Sequence, residues 1–122
     1  MTQSQLNIIL LNYHGLQDTV ECLHSLGSYP TIVVNVSDKG EKNDEGEQLK
    51  KQFPSIDVIE SFNRGFSGGN NVGAQYAIQH HHPTYLLFLN NDTRVHKDAV
   101  AELVNVSQRD KDSLAVYSPK IY

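Results

Sequence analysis

The sequence has little that would point to secretion, membrane insertion or nucleic-acid binding. Cys22 is its only cysteine, so no intramolecular disulfide can form, and the chain suits a reducing compartment. Lying in an apolar helical pattern, Cys22 reads as a small core residue. Basic residues are not in excess: 10 Lys and Arg stand against 14 Asp and Glu, for a formal charge of −4. A nucleic-acid binder would normally carry a basic face, so no nucleic-acid partner is expected. A nucleotide ligand is not excluded, because a few local donors and a metal ion neutralise a diphosphate. The N-terminus has no basic stretch, and the first apolar run, Ile8 to Leu11, is too short for a signal peptide or a membrane span. The expected location is cytoplasmic, extending to peripheral contact at the inner membrane face. There is no internal repeat, low-complexity tract or interdomain linker.

What remains is a soluble globular composition, 39% apolar and 20% charged over 122 residues. That length supports one domain, residues 1–122, with roughly two thirds of its unfolded surface buried. Apolar runs and helical patterns alternate along it. Leu6–Leu11 is a short run typical of a strand buried on both faces. Val20, Cys22, Leu23 and Leu26 recur at helical spacing over Leu16–Leu26, and Tyr29-Pro30 ends that pattern. Thr31–Val36 is β-branched and reads as a second strand. A polar loop over Ser37–Gly46 leads to a short surface helix, Glu47–Phe53, stopped by Pro54. Ile56–Glu60 is a third strand, Ser67–His81 a helix, Thr84–Leu89 a fourth strand, Val95–Ser107 a helix, and Ser113–Tyr117 a fifth strand. Strands and helices in alternation predict an α/β fold, a mainly parallel sheet with helices on both faces. Ligands of such sheets bind at the carboxyl ends of the strands.

Two stretches stand at those ends. Asn63-Arg64-Gly65-Phe66-Ser67-Gly68-Gly69-Asn70-Asn71-Val72-Gly73 reads as a glycine-rich turn opening a helix. Glycines admit a phosphate close to the backbone, and a helix N-terminus offers free N–H groups. The spacing is neither G-x-G-x-x-G nor a P-loop, so a tight strand-to-helix connection is the competing account. The paired Asn70-Asn71 favours contacts, since Asn is a poor residue for a helix interior. In the second stretch, Tyr85–Leu89 runs into Asn90-Asn91-Asp92-Thr93. A carboxylate there suits Mg2+ or Mn2+, hard cations that take oxygen ligands and bridge phosphates; the alternative is a helix cap or turn. His80-His81-His82 points in three directions along a helix and reads as a polar C-terminus rather than a chelate.

In this order the motifs resemble those of the inverting glycosyltransferases of family 2, in particular a bacterial rhamnosyltransferase-like group. The resemblance rests on Asn12-Tyr13-His14-Gly15, Gly65-Phe66-Ser67-Gly68-Gly69-Asn70-Asn71-Val72-Gly73 and Asn90-Asn91-Asp92, and runs from about Leu6 to Tyr122. It implies the Rossmann-like, nucleotide-binding half of a GT-A fold. It also implies a donor, a UDP- or dTDP-linked sugar, held by Asn12, Tyr13, Asn35, Asn63, Gly65, Gly68, Gly69, Asn71, Asn90 and Asn91. Asp92 would be the ligand of a divalent cation. The family's second strand usually ends in Asp-Asn, where Asn35-Val36 stand here, and Asp38 is the nearby carboxylate that could replace the base-reading aspartate. The family also continues for roughly as many residues again, into an acceptor half with the general-base carboxylate. The expectation is therefore a truncated donor-binding domain. The full enzyme would transfer a sugar with inversion to a glycan or lipid-linked hydroxyl, as in cell-wall or polysaccharide biosynthesis. This chain alone would do little or no transfer, and the uncovered face would favour self-association. The alternative is a non-catalytic nucleotide-sugar-binding module or partner subunit.

Overall fold

The computed structural model describes residues 5–96, 98–109 and 116–118. Its elements follow as β1 (Leu6–Asn12), α1 (Leu16–Leu26), β2 (Thr31–Ser37), α2 (Glu45–Gln52), β3 (Asp57–Phe62), α3 (Gly65–His81), β4 (Tyr85–Leu89) and α4 (Ala99–Arg109). The four strands form one parallel sheet in the order β3-β2-β1-β4. This is an α/β, Rossmann-like arrangement. Of the expected fifth strand, Ser113–Ala115 lie outside the described residues, and Val116 and Tyr117 are not in a strand. Among the described residues no helix is long and apolar enough to cross a membrane.

Side chains alternate across a strand, and the two faces of the sheet carry two cores. Leu6, Ile8 and Leu10 of β1 and Val33 of β2 pack with Cys22, Leu23 and Leu26 of α1, Leu49 of α2 and Val100 of α4. On the opposite face Ile9 and Ile32 meet Ala77 of α3. β1 and β2 are central and fully covered, which is why they read as unbroken apolar runs.

The glycine-rich stretch folds differently from a turn. Asn63 and Arg64 make the connection, and α3 begins at Gly65, whose φ of +75° suits a glycine. Gly69, Gly73 and Ala77 then recur every four residues and form the buried stripe of the helix. A Cβ on Gly69 would lie 2.9 Å from both Leu11 methyls, and one on Gly73 would lie 2.6 Å from Ile9 Cγ2. The two glycines thus serve close approach of α3 to β1 and β2, a packing task.

The chain passes from β1 to β2 on one side and returns through β4 on the other. The crevice above the carboxyl ends of β1 and β4 is the switch point at which open parallel sheets bind ligands.

Candidate functional site

A cavity of about 350 Å³ occupies that crevice. Its floor comes from Leu11, Val36 and Leu89 at the ends of three strands. Tyr13 and Asn63 stand on one side with Gly65 and Phe66 of the first turn of α3, and Asn90, Asn91 and Asp92 close the other. Six of the residues singled out from the sequence therefore share one cavity: Tyr13, Asn63, Gly65, Asn90, Asn91 and Asp92. Gly68, Gly69 and Asn71, further along α3, lie outside its lining. Asn71 is exposed, and Gly69 is buried under Leu11.

One wall is organised by Asp38, just past β2. The Tyr13 hydroxyl donates to Asp38 Oδ2 at 2.6 Å, and Asn63 Nδ2 donates to Asp38 Oδ1 at 3.2 Å. Asn63 Oδ1 in turn accepts from the Gly65 N–H at 2.9 Å, so the same asparagine ties β2 to the start of α3. The hydrogen bond from Tyr13, and then that from Asn63, hold the Asp38 carboxyl below its ordinary value. The Asp38 bond is also the largest cause of the raised Tyr13 phenol. Arg64, the residue before α3, makes no side-chain cap; the N–H groups of a first helical turn have no intrahelical partner, and that of Gly65 is taken by Asn63.

His14, in left-handed conformation with φ of 53°, sits on the rim with its Nε2 3.0 Å from Glu41 Oε2. His14, Asp38 and Glu41 bring three metal-capable atoms within 4.8 Å of one another, all on exposed side chains. Of the histidine triplet, His81 pairs with Asp57 and His80 stacks on Tyr76.

The other wall is the turn after β4, closed by the Thr93 N–H donating to the Asn90 carbonyl at 3.1 Å. Asp92 is exposed there. It also borders a second cavity with Asp18, Glu21, Thr93 and Arg94, where Arg94 pairs with Glu21. The donor set at the turn is a carboxylate and amide oxygens with open space beside them. That fits a hard divalent cation which draws its remaining ligands from phosphate and water. Behind the turn, burial pushes the Cys22 thiol up to about 11, and the charge of Asp92 adds to it.

Asn12 and Asn35 occupy a different place. Both are fully buried and their side chains bond within the protein. Asn12 pairs in register with Asn35, and Asn35 with Glu60, a polar row across three strands. Asn12 Nδ2 donates to Asn35 Oδ1 at 2.9 Å and to Glu45 Oε1 at 2.8 Å; Asn35 Nδ2 donates to Glu60 Oε1 at 2.9 Å. Thr19 and Asn91 extend the row towards β4. Thr19, Glu45 and Glu60 were not singled out from the sequence. The signal available was parity: Asn12, Asn35 and Glu60 fall on one face once the strands are aligned.

The sequence model described as Glycosyl transferase family 2 matches residues 8–122. A curated relative, the low-salt glycan biosynthesis hexosyltransferase Agl10 of Haloferax volcanii, is 28% identical over 119 residues, covering 95% of this chain and 36% of that protein. The chain thus spans about a third of the relative's length. Among solved structures, S. aureus TarS residues 1–349 in complex with UDP aligns with a TM-score of 0.60 and 16% identity, over 85% of this chain and 32% of that one. A 4-diphosphocytidyl-2C-methyl-D-erythritol synthase aligns with a TM-score of 0.62 and 13% identity, over 86% and 55%. At such identities the structural likenesses show the fold alone.

Proposed function

Because this chain belongs to glycosyl transferase family 2, we propose that its cavity binds a nucleotide-diphosphate sugar, UDP- or dTDP-linked, as the donor half of a sugar-transferring enzyme. The observation that carries the reading is the convergence of Tyr13, Asn63, Gly65 and Asn90–Asp92 on one cavity at the switch point of the sheet. Asp38, whose carboxyl accepts from Tyr13 and Asn63, would accept the imide N–H of a pyrimidine. The first turn of α3 presents N–H groups towards the phosphates. Asp92, with the Asn90 and Asn91 amides beside it, would hold Mg2+ or Mn2+. When bound, the cation would stabilise the charge developing on the leaving diphosphate.

On this reading Asn12 and Asn35 act beneath the donor rather than against it, since their amide groups are spent inside the protein. The transfer itself, to a glycan or lipid-linked hydroxyl with inversion, requires a base that deprotonates the acceptor. None of the cavity residues is assigned that role. The reaction is placed in the cytoplasm, at the inner membrane face where the acceptor is lipid-linked.

The test is calorimetric titration with UDP and with dTDP, with and without Mn2+, on the chain and on Asp92→Ala. Nucleotide binding that Mn2+ strengthens, and that loses the strengthening in Asp92→Ala, is the expected result. A folded chain that binds neither nucleotide, with or without metal, would refute it.

A further inference from the structure

The polar row is one-way. Carboxylate oxygens accept hydrogen bonds, and Glu45 and Glu60 take them from the NH2 groups of Asn12 and Asn35. The Asn12 carbonyl is then left to accept, and it takes the single proton of the Thr19 hydroxyl at 2.6 Å. With that proton used, Thr19 Oγ1 has only acceptor capacity for its other neighbour. It receives Asn91 Nδ2 at 3.1 Å, while the same Nδ2 lies 3.5 Å from the Gly15 carbonyl. Every donor along the chain therefore points from Asn91 towards the two glutamates. The orientation of the Asn91 amide is thus linked to the two carboxylates at the other end of the row, on the same face of the sheet.

Two glycines make room for the ends of this chain. A Cβ on Gly15 would lie 2.7 Å from Asn91 Nδ2, and one on Gly46 would lie 2.1 Å from Glu60 Oε2. Gly15 has φ of −128°, a conformation any residue adopts, so its missing side chain serves space rather than backbone freedom. Thr19 itself is fully buried and touches nothing in the cavity; its reach to the site is through Asn91.

We propose that Thr19 is a positioning residue: it holds Asn91, and with it the Asn90–Asp92 turn, in the geometry that receives the donor diphosphate and its cation. The proposal rests on the donor-site reading above. Residues that orient the groups around a metal commonly alter its affinity by about tenfold or more when removed.

The experiment compares the full chain with Thr19→Val, which keeps shape and removes the hydroxyl, and with Thr19→Ser, which restores it. Gly15→Ala, whose Cβ would lie 2.7 Å from Asn91 Nδ2, serves as a second variant should Thr19→Val fail to fold. Two quantities are read: hydrogen exchange of the Asn91 side-chain amide by NMR, and UDP affinity with and without Mn2+. In Thr19→Val and Gly15→Ala the Asn91 protons exchange at least about tenfold faster, and the affinity gained from Mn2+ falls about tenfold. Thr19→Ser restores both quantities. Unchanged Asn91 exchange in the folded variants overturns the proposal, as does faster exchange with an intact Mn2+ gain. Faster exchange in a protein whose wild type binds no UDP refutes the donor reading while leaving the ordering of Asn91 by Thr19 in place.

Discussion

Replacing Gly73 by alanine tests how closely α3 rests on the sheet. Two effects oppose each other. Alanine is the better helix former, by about 0.8–1.0 kcal/mol at an interior position. Against this, the new methyl would lie 2.6 Å from Ile9 Cγ2 and 3.1 Å from Val34 Cγ2, where carbon atoms prefer about 3.5–4.0 Å. Ile9 and Val34 are both completely buried in the two central strands, so neither gives way easily. Insertions into a packed core of this kind cost about 1–3 kcal/mol. A 2.6 Å contact with fully buried partners places the cost in the upper part of that range, so the net expectation is a loss of about 1–2 kcal/mol, or about 4 °C in melting temperature for each kcal/mol. Gly69→Ala is the internal control. Its methyl would meet the ends of the Leu11 side chain at 2.9 Å; Leu11 is only partly buried and can turn aside, so that variant should stay within about 0.5 kcal/mol of wild type, the crowding offset by propensity. Urea unfolding followed by circular dichroism, read at unchanged slope, separates the two. A Gly73→Ala protein as stable as wild type would refute the close approach of α3 to β1.

Other outcomes follow from single contacts. Tyr13→Phe removes the largest cause of the lowered Asp38 carboxyl, so its titration by NMR should move up towards the ordinary 3.8 while the fold is kept. Cys22 ionises at about 11 in the folded chain against an ordinary 9.0. The unfolded chain therefore loses that proton first, and stability falls as pH rises from 9 towards 11, by on the order of 2 kcal/mol; Cys22→Ala should flatten that part of the pH profile of urea midpoints. Gly46→Ala should drive the Glu60 carboxylate from Asn35, leaving a buried amide short of an acceptor at a cost of about 1–3 kcal/mol, measurable by thermal unfolding.

The succession of strands and helices and the parallel α/β class were legible in the sequence because they follow from local pattern. β1 and β2 are short apolar runs, and the motifs lie at strand ends, where a parallel sheet gathers its ligand-binding residues. The start of α3 was less legible. Glycine is compatible with a turn and with close packing, and only the neighbours of Gly69 and Gly73 across the helix–sheet interface distinguish the two. The polar row was hidden for a related reason. Asn12 and Asn35 look like residues offered to a ligand, and their partners Thr19, Glu45 and Glu60 come from three other elements. The long-range alignment of the strands, which no single window of sequence contains, brings them together.

The order β3-β2-β1-β4 also sets a schedule for folding. Leu6 of β1 pairs with Tyr85 of β4, so this central strand acquires its second neighbour only after three helices and two other strands have been made. Pairings this distant in sequence form late because the intervening loop must close first. During synthesis β1, β2 and β3 can assemble with α1, α2 and α3 while one side of β1 still waits for a partner. The cavity needs residues from both β1 and the turn after β4, so it cannot form until that turn has been made. Any delay in translation between Phe62 and Tyr85 would prolong an intermediate whose open edge lies beside its most apolar strand.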